Sequence, residues 1–334
     1  MAATSDPRTT LDAFQGTSVL VLGDVMVDAY LWGRVDRISP EAPVPVVHVY
    51  ERSARLGGAA NVALNLAALG ARPVVVSTVG HDAEADRLER LLKEAGLSTE
   101  GIVRAAERST TVKTRIISGH QHIVRVDEET LRPLSPEEED ALLQRFRERL
   151  SADRPAVVVI EDYNKGVLTP RAIAGALEAC REAGVPVTVD PKKENFFAYT
   201  GVALFKPNLK ELREGLKTDL AGGDQQAVRS AVADLEAKLG NTLSLITLSE
   251  HGIYVHGPDE EHFLPAHRRK IADVSGAGDT VIAVASLCLA HGLPPRTIAA
   301  WSNLAGGLVC EEVGVVPLDP DRFRAELDRI RPEA

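Results

Sequence analysis

Residues 273–279 read Asp-Val-Ser-Gly-Ala-Gly-Asp, two carboxylates flanking a run of small residues, and an apolar, alanine-rich stretch follows. If a helix begins here, its first amides are unpaired and its dipole makes that end positive. Gly276, Ala277 and Gly278 then leave bare backbone for an anion such as a phosphoryl group. Asp279 falls in the first turn, where its carboxylate can take a proton from an attacking hydroxyl. A phosphoryl-transfer centre is one reading of this string, and a glycine-rich turn with an acidic helix cap is the other.

Further residues could serve the same chemistry. Gly57-Gly58-Ala-Ala-Asn61 opens another helix and brings small residues plus one amide, which close helix packing would also use. Asp24 and Asp28 follow the first apolar strand. The C-terminal edge of a parallel sheet is where open α/β folds bind ligands, and carboxylates there can accept hydrogen bonds from polyols. Segment 110–127 reads as a β-hairpin turning near Ser118-Gly119. Strand alternation puts Lys113 and Arg115 on one face of its first arm, with Arg125 on the second. A solvated flap would carry the same residues. His120 and His122 beside the turn read as tip residues rather than metal ligands.

The elements that must position these groups follow from apolar runs. Ser18–Gly23, Arg72–Gly80, Ala156–Ile160, Val185–Val189 and Leu243–Leu248 read as buried strands. Asp82–Ala95, Pro170–Ala183, Ala277–His291 and Pro295–Glu311 read as helices. The alternation implies an α/β fold, a mainly parallel sheet covered on both faces. Val44–Val49 contains Pro45 and suits an edge strand. It and the hairpin do not fit a βαβ unit, so segments of about 34–52 and 108–127 are expected to form a small β-sheet lid on a single domain, 1–334.

The chain has 334 residues, is 44% hydrophobic and carries a net charge of −10. That is enough apolar content for a large core, and the charge argues against a nucleic acid bound through a basic face. Cys180, Cys288 and Cys310 show no paired spacing, which fits a reduced, cytoplasmic setting. The N-terminal stretch is polar, with no leader pattern, and no apolar run is long enough to span a bilayer, so no membrane partner is expected.

Four motifs in order, Gly57-Gly58 with Asn61, Lys206-Pro-Asn208-Leu-Lys-Glu211, Ile246-Thr247-Leu-Ser249-Glu-His-Gly252 and Asp273 to Asp279, resemble those of the ribokinase-like (PfkB) carbohydrate kinases. The resemblance runs from about residue 17 to about residue 325. It implies a three-layer αβα sandwich with ATP along the C-terminal half of the sheet. Asn208 and Glu211 would organise Mg²⁺ and phosphates, with Glu211 acting on the metal through water. Thr247, Ser249 and Gly252 would border the nucleotide, and Asn303 would lie near the adenine. Asp279 would be the base, beside an anion site at Gly276, Ala277 and Gly278. Asp24, Asp28, Gly57, Gly58 and Asn61 would hold the sugar, with Asp162, Lys192 and Asp273 nearby. K⁺ is a further ion that the family uses, although its ion-binding loop reads Gly314-Val-Val-Pro-Leu318 here, without hydroxyl side chains. Lids in related kinases often pair across a dimer, so a homodimer through the lid is expected.

Arg37-Ile-Ser-Pro-Glu-Ala-Pro-Val-Pro-Val46, Asp162-Tyr-Asn-Lys-Gly166 and Val189-Asp-Pro-Lys192 are similar to the members that phosphorylate D-glycero-β-D-manno-heptose 7-phosphate at its anomeric hydroxyl, on the ADP-heptose route to lipopolysaccharide core. Many of those are fused to an adenylyltransferase, and no second nucleotidyl-transfer motif is visible here. A phosphorylated acceptor needs a cationic socket, which Lys113, Arg115 and Arg125 would offer. Two alternatives stay open: a family kinase for an unphosphorylated sugar or nucleoside, and a catalytically silent sugar-binding protein.

Overall fold

The computed structural model describes residues 7–119, 121–267 and 269–329, so His120 lies outside the described residues. From α1 (Pro7–Ala13) the chain enters β1 (Ser18–Gly23) and passes at once into a second sheet through β2 (Val25–Ile38) and β3 (Pro45–Gly58). Helix α2 (Ala59–Ala68) returns it to β4 (Arg72–Gly80), α3 (Ala83–Glu94) and β5 (Ile102–Ala105). A second excursion, β6 (Val112–Ser118) and β7 (Gln121–Glu128), completes the second sheet. The chain continues through α4 (Pro136–Asp153), β8 (Val157–Glu161), α5 (Pro170–Ala183), β9 (Val187–Asp190) and β10 (Leu204–Phe205). It then forms α6 (Leu209–Leu216), α7 (Gln225–Leu239), β11 (Leu243–Thr247), β12 (Ile253–His256) and β13 (Glu261–Leu264). Helices α8 (Ala277–Ala290), α9 (Pro295–Val309) and α10 (Pro320–Arg329) follow.

Among the described residues the main sheet has nine strands in the order β13-β12-β11-β10-β9-β8-β1-β4-β5. It is parallel except where β12 and β13 turn antiparallel. Its central strands are apolar on both faces because helices cover both. In β1, Val19 and Val21 enter the core under α2, α8 and α9, and Leu20 and Leu22 enter the core under α4, α5 and α7. This is the three-layer ribokinase-like architecture that the motifs imply.

The second sheet runs β3-β2-β6-β7. The expected hairpin is β6 and β7, and the expected Val44–Val49 strand proves, from Pro45, to be the start of β3, an edge strand that runs on to Gly58. The far half of β3 escaped notice because Glu51 and Arg52 face solvent and look like a loop. Strand β2 escaped because Asp24 and Asp28 resemble loop acids, and Asp28 in fact stands within a strand. Helix α4 was hidden by its charged start, where Ser135 and Glu138 form a capping box ahead of an apolar face.

Candidate active site

Helix α8 begins at Gly276, whose φ of +80° favours glycine and which offers no side-chain cap; the Ala277 amide, expected to be open, donates to the Val274 carbonyl at 3.3 Å, while those of Gly276 and Gly278 have no backbone acceptor among the described residues. A Cβ at Gly276 would stand 2.9 Å from Asn61 Nδ2. Asp279, in the first turn, is buried. Its Oδ2 accepts a hydrogen bond from Asn61 Nδ2 at 2.7 Å, and its Oδ1 accepts one from the Tyr163 hydroxyl at 2.7 Å. Burial pushes its pKa up to about 6 against the pull of these two donors, with Asp190 adding to the rise and Lys192 opposing it. A carboxylate so poised can accept a proton near neutral pH.

Asn61 is set by the glycines before it. Gly58 has a φ of +60° at the end of β3, and the next amide, that of Ala59, donates to the Asp24 carbonyl at 2.9 Å. Asn65, one turn on, donates to the Asn61 carbonyl at 2.9 Å. Its own Oδ1 accepts from Thr280 Oγ1 and from the Leu318 amide. Helices α2 and α8 are thus cross-linked by amides at the point where Asp279 emerges.

Asp24 and Asp162 stand differently from expectation. Both are buried with their oxygens turned to protein donors. Asp24 accepts from the amides of Tyr163, Lys165 and Val167 at 2.8–3.2 Å. Burial, with Asp162 beside it, raises its pKa to about 6 despite those amides. Asp162 accepts from the Asn164 amide, the Tyr199 hydroxyl and Asn195 Nδ2. These acids hold the loop after β8 rather than face an open cleft.

Beneath the α8 start, Glu161 and Asp190 are paired on neighbouring strands, and Lys206 follows the next strand. Lys206 is buried and its Nζ lies 2.7 Å from Asp190 Oδ2. Burial works against its charge, but Asp190 and Glu211 outweigh it and raise its pKa. A Cβ on Gly278 would stand 3.4 Å from Asp190 Oδ2 and 3.7 Å from Lys206 Nζ, so a fixed ammonium backs the open amides. Both Glu161 oxygens are buried without a hydrogen-bond partner, and burial with Asp190 beside it drives its pKa well above the usual range. Sequence reasoning gave no role to Glu161, Tyr163 or Lys206, although all three lie in or beside stretches it singled out.

On the far half of the sheet, Asn208 caps α6. Its Oδ1 accepts from the Glu211 amide and Glu211 Oε2 accepts from the Asn208 amide, a reciprocal capping box. Glu211 Oε1 meets Lys192 Nζ. Thr247 ends β11 and bridges to Asn208, and Ser249 and Gly252 bound the tight turn that follows. Asn303 stands apart on α9, donating to the Pro265 carbonyl at 2.8 Å. No group of three or more His, Cys, Asp or Glu among the described residues is placed to hold a metal ion.

The second sheet presents one face to this site. Register puts Asp28 beside Lys113, Tyr30 beside Arg115, and Arg115 opposite Arg125. Arg115 is buried and ion-paired with Asp28, its guanidinium over the Tyr30 ring, and is no solvent-facing strand residue. Arg125 is mostly exposed and makes a two-pronged pair with Asp127 at 2.8 and 2.9 Å. Lys113 has no carboxylate within ion-pair distance among the described residues, and its Nζ lies 5.4 Å from the Tyr163 ring centre. Gly57 packs against Asp28, so a side chain there would collide with the carboxylate. Asp273 accepts from the amides of Ser275 and Gly314, with His122 Nε2 of β7 3.9 Å away. Arg55 donates to the carbonyls of Val313 and Val315, at 3.1 and 2.9 Å.

The sequence pattern of the pfkB family carbohydrate kinases matches residues 16–322. This chain belongs to that family. It is 47% identical over 310 residues to the bifunctional protein HldE of Caulobacter vibrioides, covering 90% of this chain and 62% of the relative. The HldE protein of Methylobacillus flagellatus is 42% identical over 309 residues, covering 92% and 63%. The chain therefore spans under two thirds of the length of these relatives. Among solved structures, phosphofructokinase-2 of Escherichia coli, in complex with substrates and products, superposes with a TM-score of 0.78 at 20% identity, covering 94% of this chain and all of that one. The ribokinase of Arabidopsis thaliana, complexed with ribose and ATP, gives 0.73 at 17% identity, covering 95% and 100%. These likenesses bear on fold, and the fold of the pfkB-family chain is theirs. No helix among the described residues is long and apolar enough to cross a membrane.

Proposed function

We propose that this pfkB-family chain is an ATP-dependent kinase that phosphorylates the anomeric hydroxyl of D-glycero-β-D-manno-heptose 7-phosphate to the 1,7-bisphosphate. The observation that carries the kinase reading is Asp279, buried and held by two donors, one residue beyond the open amides at the start of α8. The acceptor rests on the sequence resemblance to heptose 7-phosphate kinases and on the bifunctional relatives that match most of the chain.

In this reading Asp279 takes the proton of the anomeric hydroxyl. The oxygen forms a bond to the γ-phosphorus of ATP as the bond to the bridging oxygen breaks, and ADP leaves. The amides of Gly276 and Gly278 and the Lys206 ammonium take up charge on the phosphoryl group in flight. Alignment and neutralisation supply most of such a reaction's catalysis. Thr247, Ser249 and Gly252 border the nucleotide, and Asn303 lies at its adenine end. A magnesium ion would neutralise phosphate charge and would be reached from Glu211 through water. No cluster of three or more His, Cys, Asp or Glu among the described residues would hold such an ion, so in this reading the nucleotide's phosphates would supply further ligands. Potassium is not part of this reading, because two carbonyls of the C-terminal loop already accept from Arg55, a cation that the chain itself supplies.

The second sheet is the lid in this reading. Asp28, Asn61 and Lys113 hold the sugar, and Lys113 and Arg115 meet its phosphate. Use of ATP and a sugar phosphate places the protein in the cytoplasm, and the outer face of the lid pairs two copies.

One observation favours a second reading, a kinase for an unphosphorylated sugar: Arg115 is already satisfied by Asp28, and Arg125 by Asp127. Coupled ADP release against the heptose 7-phosphate, the free heptose, ribose and fructose 6-phosphate decides between them. A preference for the heptose phosphate is expected. Equal use of the free heptose would transfer the proposal to the second reading, and no ADP release with any acceptor would end both.

A further inference from the structure

Two donors hold Asp279, and only Asn61 belongs to the motif that defines the site. The other, Tyr163, lies on the loop after β8, and its hydroxyl makes no other hydrogen bond to protein among the described residues. We propose that Tyr163 is a positioning residue for the proton transfer, a phenol that orients the Asp279 carboxylate and donates to it. This rests on the reading of Asp279 as the base.

The loop is built to fix that phenol. The Tyr163 amide donates to Asp24 Oδ2, and those of Lys165 and Val167 donate to the same carboxylate. The Asn164 amide donates to Asp162 Oδ1 at 2.8 Å. Asn164 has a φ of +52°, a costly conformation that persists where the surroundings over-determine it. The buried acids Asp24 and Asp162 therefore find their use in pinning Tyr163. The ring lies under two ammonium groups, Lys113 of the second sheet at 5.4 Å and Lys192 at 5.1 Å. The residue thus joins the lid, the nucleotide half and the base. A phenylalanine would fill the same space without reaching the carboxylate.

The chemistry suits a donor that keeps its proton. Burial, with Asp279 and Glu161 alongside, raises the Tyr163 pKa well above its ordinary value, so the phenol remains protonated and donates. Around Asp279 the balance is close. Asp190 at the end of β9 favours its protonated form, as does the exclusion of water, and Glu161 lies at the end of the neighbouring strand. Asn61 from α2, Tyr163 and Lys192 favour the ionised form. Losing one donor tips that balance toward a carboxylic acid, which cannot accept the sugar's proton.

The test is Tyr163→Phe, read in two ways. In substrate-free protein the Asp279 carboxyl is titrated by ¹³C NMR, its signal identified by its loss in Asp279→Asn. The midpoint is expected to rise by about one pH unit, the size of one charge-assisted hydrogen bond. In turnover, kcat is expected to fall about twofold at pH 7 and about tenfold at pH 5, and to recover toward pH 9, with the KM for ATP within about twofold of the parent. An unmoved titration, or a kcat loss equal at all pH values, would overturn the proposal. Fluorinated tyrosine at position 163 keeps the shape, strengthens the donor and should move the midpoint the other way. If Tyr163→Phe does not fold, an unchanged midpoint in the fluorinated protein overturns the proposal on its own. A shifted titration in a protein that phosphorylates no acceptor would sink the kinase reading and leave the Tyr163–Asp279 coupling standing. Turnover with an unshifted titration would do the reverse.

Discussion

At Asp279, burial and hydrogen bonding pull against each other, and burial wins, leaving a pKa of about 6. Activity is expected to rise with pH through that value, and Asp279→Asn to lower kcat by about 10²–10⁴-fold with ATP binding retained, as stopped-flow kinetics and calorimetry would measure. Stability carries the same signature. Asp24 and Asp279 both have folded values near 6 against about 3.8 unfolded. For acids raised on folding, the stabilising contribution is full below the unfolded value and is lost as pH rises through the folded one. The parent should therefore lose about 2–3 kcal/mol per group between pH 4 and 7. Urea titrations should show Asp279→Asn flattening its share of that slope. A second contrast concerns the two arginines. Arg115→Ala leaves Asp28 buried and unpaired and is expected to cost about 3–5 kcal/mol. Arg125→Ala, at an exposed pair, should change stability by less than about 0.5 kcal/mol. Chemical denaturation of both variants tests this. Asp279, Asn61 and the glycine run were legible in the sequence because their spacing is local. Lys206, Glu161 and Tyr163 were not, because their part depends on which strand ends lie side by side, and no spacing encodes that.

The elements matter through two close approaches. Gly57 closes β3 against β2, where a Cβ would overlap the Asp28 carboxylate and come within 2.7 Å of Met26 Cγ. Gly57→Ala should push Asp28 off Arg115. The KM for the acceptor is expected to rise about tenfold, the scale of one charged hydrogen bond, with the KM for ATP unchanged. Steady-state kinetics in both substrates tests this, and a parallel change in the two would show a general loosening instead. Most of the main sheet was legible, since unbroken apolar runs such as Val157–Ile160 have few other uses. The second sheet was half legible. Its hairpin has a glycine turn and alternating residues, whereas β2 and the end of β3 carry polar residues for the site and for solvent. The nucleotide-side motif Asn208 to Glu211 shows how one pattern serves two ends, since it caps α6 while presenting a carboxylate beside Lys192.

Over the whole molecule, the second sheet has a face turned away from the site. Val124 and Val126 alternate with Arg125 on β7 and are exposed, and Ile38 and Tyr50 add further exposed apolar surface to the same sheet, with Val44 exposed just ahead of β3. Exposed apolar surface on such a sheet is the kind that can form an association site. Sedimentation is expected to show a dimer, and Val126→Glu with Tyr50→Glu to give a folded monomer. A parent that sediments as a monomer would refute the pairing. The strand order has a consequence in time. β1 lies between β4, which follows it closely, and β8, which ends at Glu161. At synthesis rates of about 5–20 residues per second, its second edge waits on the order of ten seconds for a partner to leave the ribosome. For that interval a largely apolar strand displays a row of unpaired amides, the kind of edge that chaperones shield and that neighbouring nascent chains can capture.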